Sequence, residues 1–126
     1  MDKTSQNKYF SSVFDKKTMM NRFMNDAEIA CGVVRVFLTD TPRQLSLLQD
    51  ALKDKDLETA TRIAHSIKGA AMNVGGLSLA KLAAAMEKDG HEKHIPAMEE
   101  KLGQMKKNCH DLIGILQETF HIKDIP

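Results

Sequence analysis

Cysteine is scarce in this chain: Cys31 and Cys109 stand far apart and form no CxxC pair. That argues against a disulfide framework and leaves both as small, buried residues of a reducing compartment. An excess of one charge is lacking as well. Eighteen Lys and Arg against 17 Asp and Glu give a net charge of +1, so no global basic field draws nucleic acid or anionic lipid. No run approaches the roughly 18 apolar residues of a membrane span, and Met1 to Ser12 lacks the apolar stretch of a signal peptide. These absences predict a soluble, cytoplasmic protein with neither nucleic acid nor a membrane as partner. Proline and glycine are also few, at three and seven, so regular structure has few places where it must break.

What is present is helical in period. The apolar residues, 42% of the 126, recur at spacings of three and four, which is the signature of helices and not of strands. That length suits one domain, burying roughly two thirds of the surface its unfolded chain exposes. Asp15 is the expected N-cap of a short first helix ending near Met24, with Phe14 and Met19 as a hydrophobic staple. Asn25 with Glu28 reads as the capping box of a second helix, and Met24 with Ile29 as its staple. Thr39-Asp40-Thr41-Pro42 then threatens to break or kink that helix.

A third helix is expected from about Leu57 to Met72, with Leu57, Ala60, Ala64, Ile67 and Ala71 as its core stripe and Gly75-Gly76 ending it. Ser78 should open a fourth, closed by Asp89-Gly90, and Pro96 a fifth whose apolar residues run from Met98 to Phe120. Short connections between long amphipathic helices predict antiparallel neighbours. The expected fold is all-α: an antiparallel up-and-down four-helix bundle with an extra short N-terminal helix. The bundle should occupy residues 14–120, with 1–13 as an N-terminal extension and 121–126 as a tail.

On a helical wheel at about 100° per residue, His65 falls about 140° from the centre of the third helix's apolar stripe. It therefore faces solvent, as ordinary surface histidines also do. Its neighbours distinguish it. Gly69 lies one turn onward on the same face, inside a helix where glycine costs about 1 kcal/mol relative to alanine, a cost accepted where something must approach closely. Lys68, at i+3, can hold a cation near any group carried by the imidazole. A neutral imidazole nitrogen is a competent nucleophile toward phosphorus, and an exposed, convex position suits handing a group to another protein's pocket.

The run Ala64-His65-Ser66-Ile67-Lys68-Gly69-Ala70-Ala71-Met72-Asn73-Val74-Gly75 resembles the phosphorylation motif of histidine-containing phosphotransfer (HPt) domains. Phe14-Asp15, Phe37-Leu38 with Asp40 and Pro42, and Leu82-Ala83 before Met86-Glu87 extend the resemblance over most of residues 14 to 116. It implies that His65 accepts and donates the phosphoryl group, that Lys68 supports its charge, and that Gly69 leaves room for a docking receiver domain. It further implies that Glu87, on the following helix, accepts a hydrogen bond from the imidazole nitrogen that is not phosphorylated. The wheel is compatible, with Glu87 about 80° off the apolar stripe of its helix. His91-Glu92-Lys93-His94 and the N-terminal dozen residues depart from the family pattern.

The resemblance implies a phosphocarrier and not an enzyme, relaying a phosphoryl group between aspartates of receiver domains in a two-component phosphorelay. A nucleotide-binding kinase domain would not fit in this length. The implied partners are receiver domains of response regulators, a hybrid sensor histidine kinase, or both. No cofactor is expected on this chain; Mg²⁺ would belong to the receiver. Two alternatives stand beside this reading: a metal-binding bundle using His91, His94 and His110, and an HPt-like scaffold that binds receivers without transferring phosphate.

Overall fold

A computed structural model describes residues 12–123, so the expected extension is in view only from Ser12 and the tail only to Lys123. Among the described residues five complete helices follow one another: α1 Lys16–Arg22, α2 Ala27–Lys53, α3 Leu57–Asn73, α4 Leu77–His91 and α5 Ile95–Thr119. Among the described residues no strand occurs, and no helix is long and apolar enough to cross a membrane. α2 packs on α3, α3 most extensively on α4, α4 on α5, and α5 returns to α2 to close the bundle; α1 lies against α2 and α3. The expected all-helical bundle with an additional short helix is the fold observed.

The core forms where the apolar stripes meet. Leu48, Ile67, Leu79, Met86, Met98, Met105, Leu112 and Leu116 are fully buried at its centre, and Met19 and Val13 seal the α1 end. Of the stripe expected for α3, Ala60, Ala64, Ile67 and Ala71 are buried with Ile63, whereas Leu57 is half-buried. Removing such side chains costs about 2–5 kcal/mol each when a cavity remains.

Each helix end is built the same way. The residues Met24, Lys55, Gly75, Lys93 and His121 adopt left-handed φ angles of 55°, 58°, 71°, 59° and 55°. In each case the next backbone N–H donates to the carbonyl five residues back, from Asn25 to Met20 through Ile122 to Gln117, at 2.7 to 2.9 Å. This closure satisfies carbonyls that a helix end would otherwise leave bare. Gly75 is the one glycine among the five, for a reason visible in its surroundings. A Cβ there would come within 2.5 Å of the Asp15 carbonyl oxygen, and the Asp15 N–H donates to the Gly75 carbonyl at 2.8 Å. The turn after α3 thus anchors the start of α1.

Several boundaries differ from those read in the sequence. α1 is capped by Asp15 as expected, its carboxylate accepting from the Thr18 N–H. α2, however, is capped by Asp26, which accepts from the N–H groups of Glu28 and Ile29. Asn25 is displaced because the preceding closure places it in a left-handed conformation at φ 60°. The shift leaves Met24 and Ile29 exposed, at 87% and 53%, so they form no staple. Pro42 lies within a single continuous α2; Leu38, Thr41, Leu45 and Leu48 are buried on both sides of it, and that packing outweighs the loss of one helical hydrogen bond.

Ser78 does not cap α4, whose N-cap position is Gly76. Its hydroxyl instead accepts from the buried Asn108 amide of α5 at 3.0 Å. Nor does Gly90 close α4. It is buried one residue before the helix ends, and a Cβ there would meet the Thr61 hydroxyl of α3. Gly90 therefore marks the close approach of two helices.

Cap hydrogen bonds from Thr18 and Thr59 hold the carboxyls of Asp15 and Asp56 below the ordinary aspartate range. A carboxyl depressed on folding stabilises the fold above its unfolded value of about 3.9, and that contribution is lost as pH falls through the folded value. Asp56→Ala is therefore expected to lower Tm at pH 7, with the gap to wild type narrowing as pH falls below about 4. A gap that stays constant down to pH 2 in thermal melts would detach the cap from its charge. The left-handed positions make a second expectation. Gly75→Ala should destabilise by at least about 2 kcal/mol, while Met24→Gly should be neutral to stabilising by up to about 1 kcal/mol; urea titration of both variants checks the contrast in sign.

Candidate functional site

The α3 segment around His65 alternates buried and open positions at helical spacing. Ala64 and Ile67 are fully buried, and this fixes the rotation of the helix so that His65 points outward, its side chain 65% exposed. Gly69 and Met72 follow on the same face, both exposed. A Cβ built on Gly69 would meet nothing within 4 Å. Nothing within the described residues therefore requires a glycine there.

α4 brings the opposing group. Met86 is fully buried, and Gly90 lets α4 settle against Thr61. Between them Glu87 emerges at the seam of the two helices, its side chain 16% exposed. One carboxylate oxygen, Oε2, lies 2.7 Å from His65 Nδ1. The other, Oε1, accepts from Lys68 Nζ at 2.7 Å. Sequence spacing placed His65 and Lys68 on one face; the structure adds Glu87 as the group joining them.

The protonation state follows from this geometry. The hydrogen bond from Lys68, and after it the bond with His65, holds the Glu87 carboxyl below the ordinary glutamate range despite the opposing cost of burial. An ionised carboxylate only accepts hydrogen bonds. The proton of a neutral His65 ring therefore sits on Nδ1, and Nε2 carries the free lone pair. Glu87 at once fixes the tautomer, restrains the ring, and faces any positive charge that develops on it. Lys68 differs in detail from its sequence reading: its ammonium rests on Glu87 beside the imidazole, with 29% of its side chain exposed.

Two features were not anticipated. His91, four residues after Glu87, places Nε2 3.6 Å from the same Oε2 that holds His65. A cleft of about 540 Å³ also opens between α3 and α4 beside His65, floored by Leu57, Thr61 and Gly90 and bordered by Glu58, Arg62, His91 and Lys93. The i,i+4 spacing of Glu87 and His91 was the available signal. Among the described residues no group of three or more His, Cys, Asp or Glu is arranged to hold a metal ion, and His91, His94 and His110 are not gathered as ligands.

Comparison with curated proteins and with solved structures gave no match. The pattern of the Hpt domain family matches residues 32–117, which takes in α3, α4 and the whole His65–Lys68–Glu87 arrangement. Hpt domains are phosphocarriers without kinase activity of their own and serve histidine phosphotransfer in phosphorelays. By this match over most of its length and by its helical bundle, the chain belongs to the Hpt domain family.

Proposed function

We propose that His65 is the phosphorylated residue and that the chain relays a phosphoryl group between aspartates of receiver domains, carried by response regulators, a hybrid sensor histidine kinase, or both. The observation that carries this reading is the Glu87 carboxylate, which engages His65 Nδ1 and Lys68 Nζ at 2.7 Å each and so leaves Nε2 of the 65% exposed His65 side chain as the nitrogen with the lone pair. In the forward step Nε2 attacks the phosphorus of an aspartyl phosphate. The Nε2–P bond forms as the P–O bond to aspartate breaks, and the freed carboxylate leaves. The Nδ1 proton stays on the ring, whose developing positive charge faces Glu87. Lys68, bonded to the same carboxylate that holds the ring, brings a cation to the site that supports the charge of the transferred group. The reaction depends on alignment and charge stabilisation, and Mg²⁺ is supplied by the receiver.

The face around His65 supports a protein partner. Gly69 leaves it open, Met72 at 46% and Val36 at 67% exposure add apolar area, and Val33 and Phe37 line a shallow cleft between α2 and α3 beside Asn73. Aromatic and methionine contacts surrounded by polar groups are the usual make-up of such a surface.

The reading is tested by label transfer from a phosphorylated receiver. Wild type should take up acid-labile, alkali-stable phosphate and His65→Gln none, while Lys68→Ala and Glu87→Ala should each slow uptake about tenfold, the scale of one charge-assisted hydrogen bond. Uptake by His65→Gln would overturn the assignment, and unchanged rates in the other two would remove their roles. Gly69 gives a test in which stability and function separate. Gly69→Ala should raise stability by up to about 1 kcal/mol, because helix propensity improves in open space. Gly69→Leu should also stay folded yet weaken receiver binding at least about tenfold; undiminished binding in a titration would show that the glycine does not serve access.

A further inference from the structure

His65 and His91 face a single oxygen. His91 Nε2 stands 3.6 Å from Glu87 Oε2 and His65 Nδ1 stands 2.7 Å from it, while Lys68 takes Oε1. We propose that His91 is a positioning residue for phosphotransfer, which in its charged form competes with His65 for Glu87 Oε2 and thereby lowers the capacity of His65 to hold a phosphoryl group. The proposal rests on the transfer reading above.

The argument follows from charge. When Nε2 bonds to phosphorus with the proton retained on Nδ1, the His65 ring becomes cationic, and Glu87 is the anion in contact with it. A carboxylate oxygen shared with a second cation stabilises the first less. Neutral His91 leaves Oε2 to His65; imidazolium at His91 draws on it. Histidine ordinarily changes charge between pH 5 and 8, so the partition of phosphate between receiver and carrier becomes pH-dependent beyond the titration of His65 itself. Other charges border the same place: Glu58 and Arg62 from α3, Lys93 from the turn after α4, and Lys68 through the far oxygen. Carboxylate, ammonium and guanidinium groups ordinarily do not change charge between pH 5 and 8, so the pH-dependent part is assigned to the histidines. His91 is 69% exposed, at the last turn of α4 and on no core contact, so replacing it leaves the bundle intact.

The experiment is the equilibrium of labelled phosphate between one receiver and the carrier from pH 5.5 to 8, for wild type, His91→Gln and His91→Lys. The lysine variant, always charged, should hold about two- to fivefold less phosphate than the glutamine variant throughout, the scale of an exposed ion pair. Wild type should follow the glutamine variant at the alkaline end and move toward the lysine variant at the acid end. Superposition of all three curves would overturn the proposal. A readout without transfer separates its failure from that of the relay reading. The ¹⁵N resonance of His65 Nδ1 should show a second inflection on pH titration of wild type that is missing in His91→Gln; identical titrations would refute the coupling even if transfer proceeds. A carrier that takes up no label would refute both readings together.

Discussion

α4 meets α3 at Gly90 so closely that a single added carbon would strike the Thr61 hydroxyl, and the chemistry one turn earlier depends on that distance. A glutamate side chain has limited reach. Only when the two helix axes lie this near can one carboxylate bond to two side chains of the neighbouring helix while its own backbone remains in register. The packing of Met86 and Ile67 beneath the seam, both fully buried, holds the separation in place. The site is thus a consequence of core packing, and its groups are fixed on helices and not on loops.

The same arrangement explains how an exposed histidine can be a defined chemical group. A surface imidazole ordinarily exchanges tautomers and rotamers freely. Here the side chain remains 65% exposed, yet one of the ring nitrogens is committed to a carboxylate that the Lys68 hydrogen bond holds below the ordinary glutamate range. Exposure and preorganisation are supplied by different halves of one ring.

Much of this was legible in the sequence because it is local. Helical period gave the bundle, and the i+3 and i+4 spacings put Lys68 and Gly69 on the face of His65. Glu87 came from resemblance to a family, because no spacing rule reports which residues of two helices meet across a seam. The errors share a cause. Asn25 and Ser78 have the chemistry of caps, but the tight closure of the preceding helix decides which residue is available to cap. Reading Gly90 as a terminator placed His91 in a loop and hid its alignment with Glu87. A glycine chosen for helix contact and one chosen for a turn look alike until the partner, Thr61, is known.

Among the described residues the methionines include enclosed and open side chains with different fates under oxidising conditions, with Met20 half-buried between the extremes. Met19, Met86, Met98 and Met105 are wholly enclosed, whereas Met24 and Met72 are open, at 87% and 46%. Sulfoxide formation converts a pliable apolar side chain into a polar, chiral one, and it will strike the open pair first. Met72 lies two turns from His65 on the same exposed face of α3, so mild oxidation would make that face more polar while the bundle stays whole. Damage to the enclosed four would follow only on opening of the core, which makes their oxidation a record of how often the bundle unfolds.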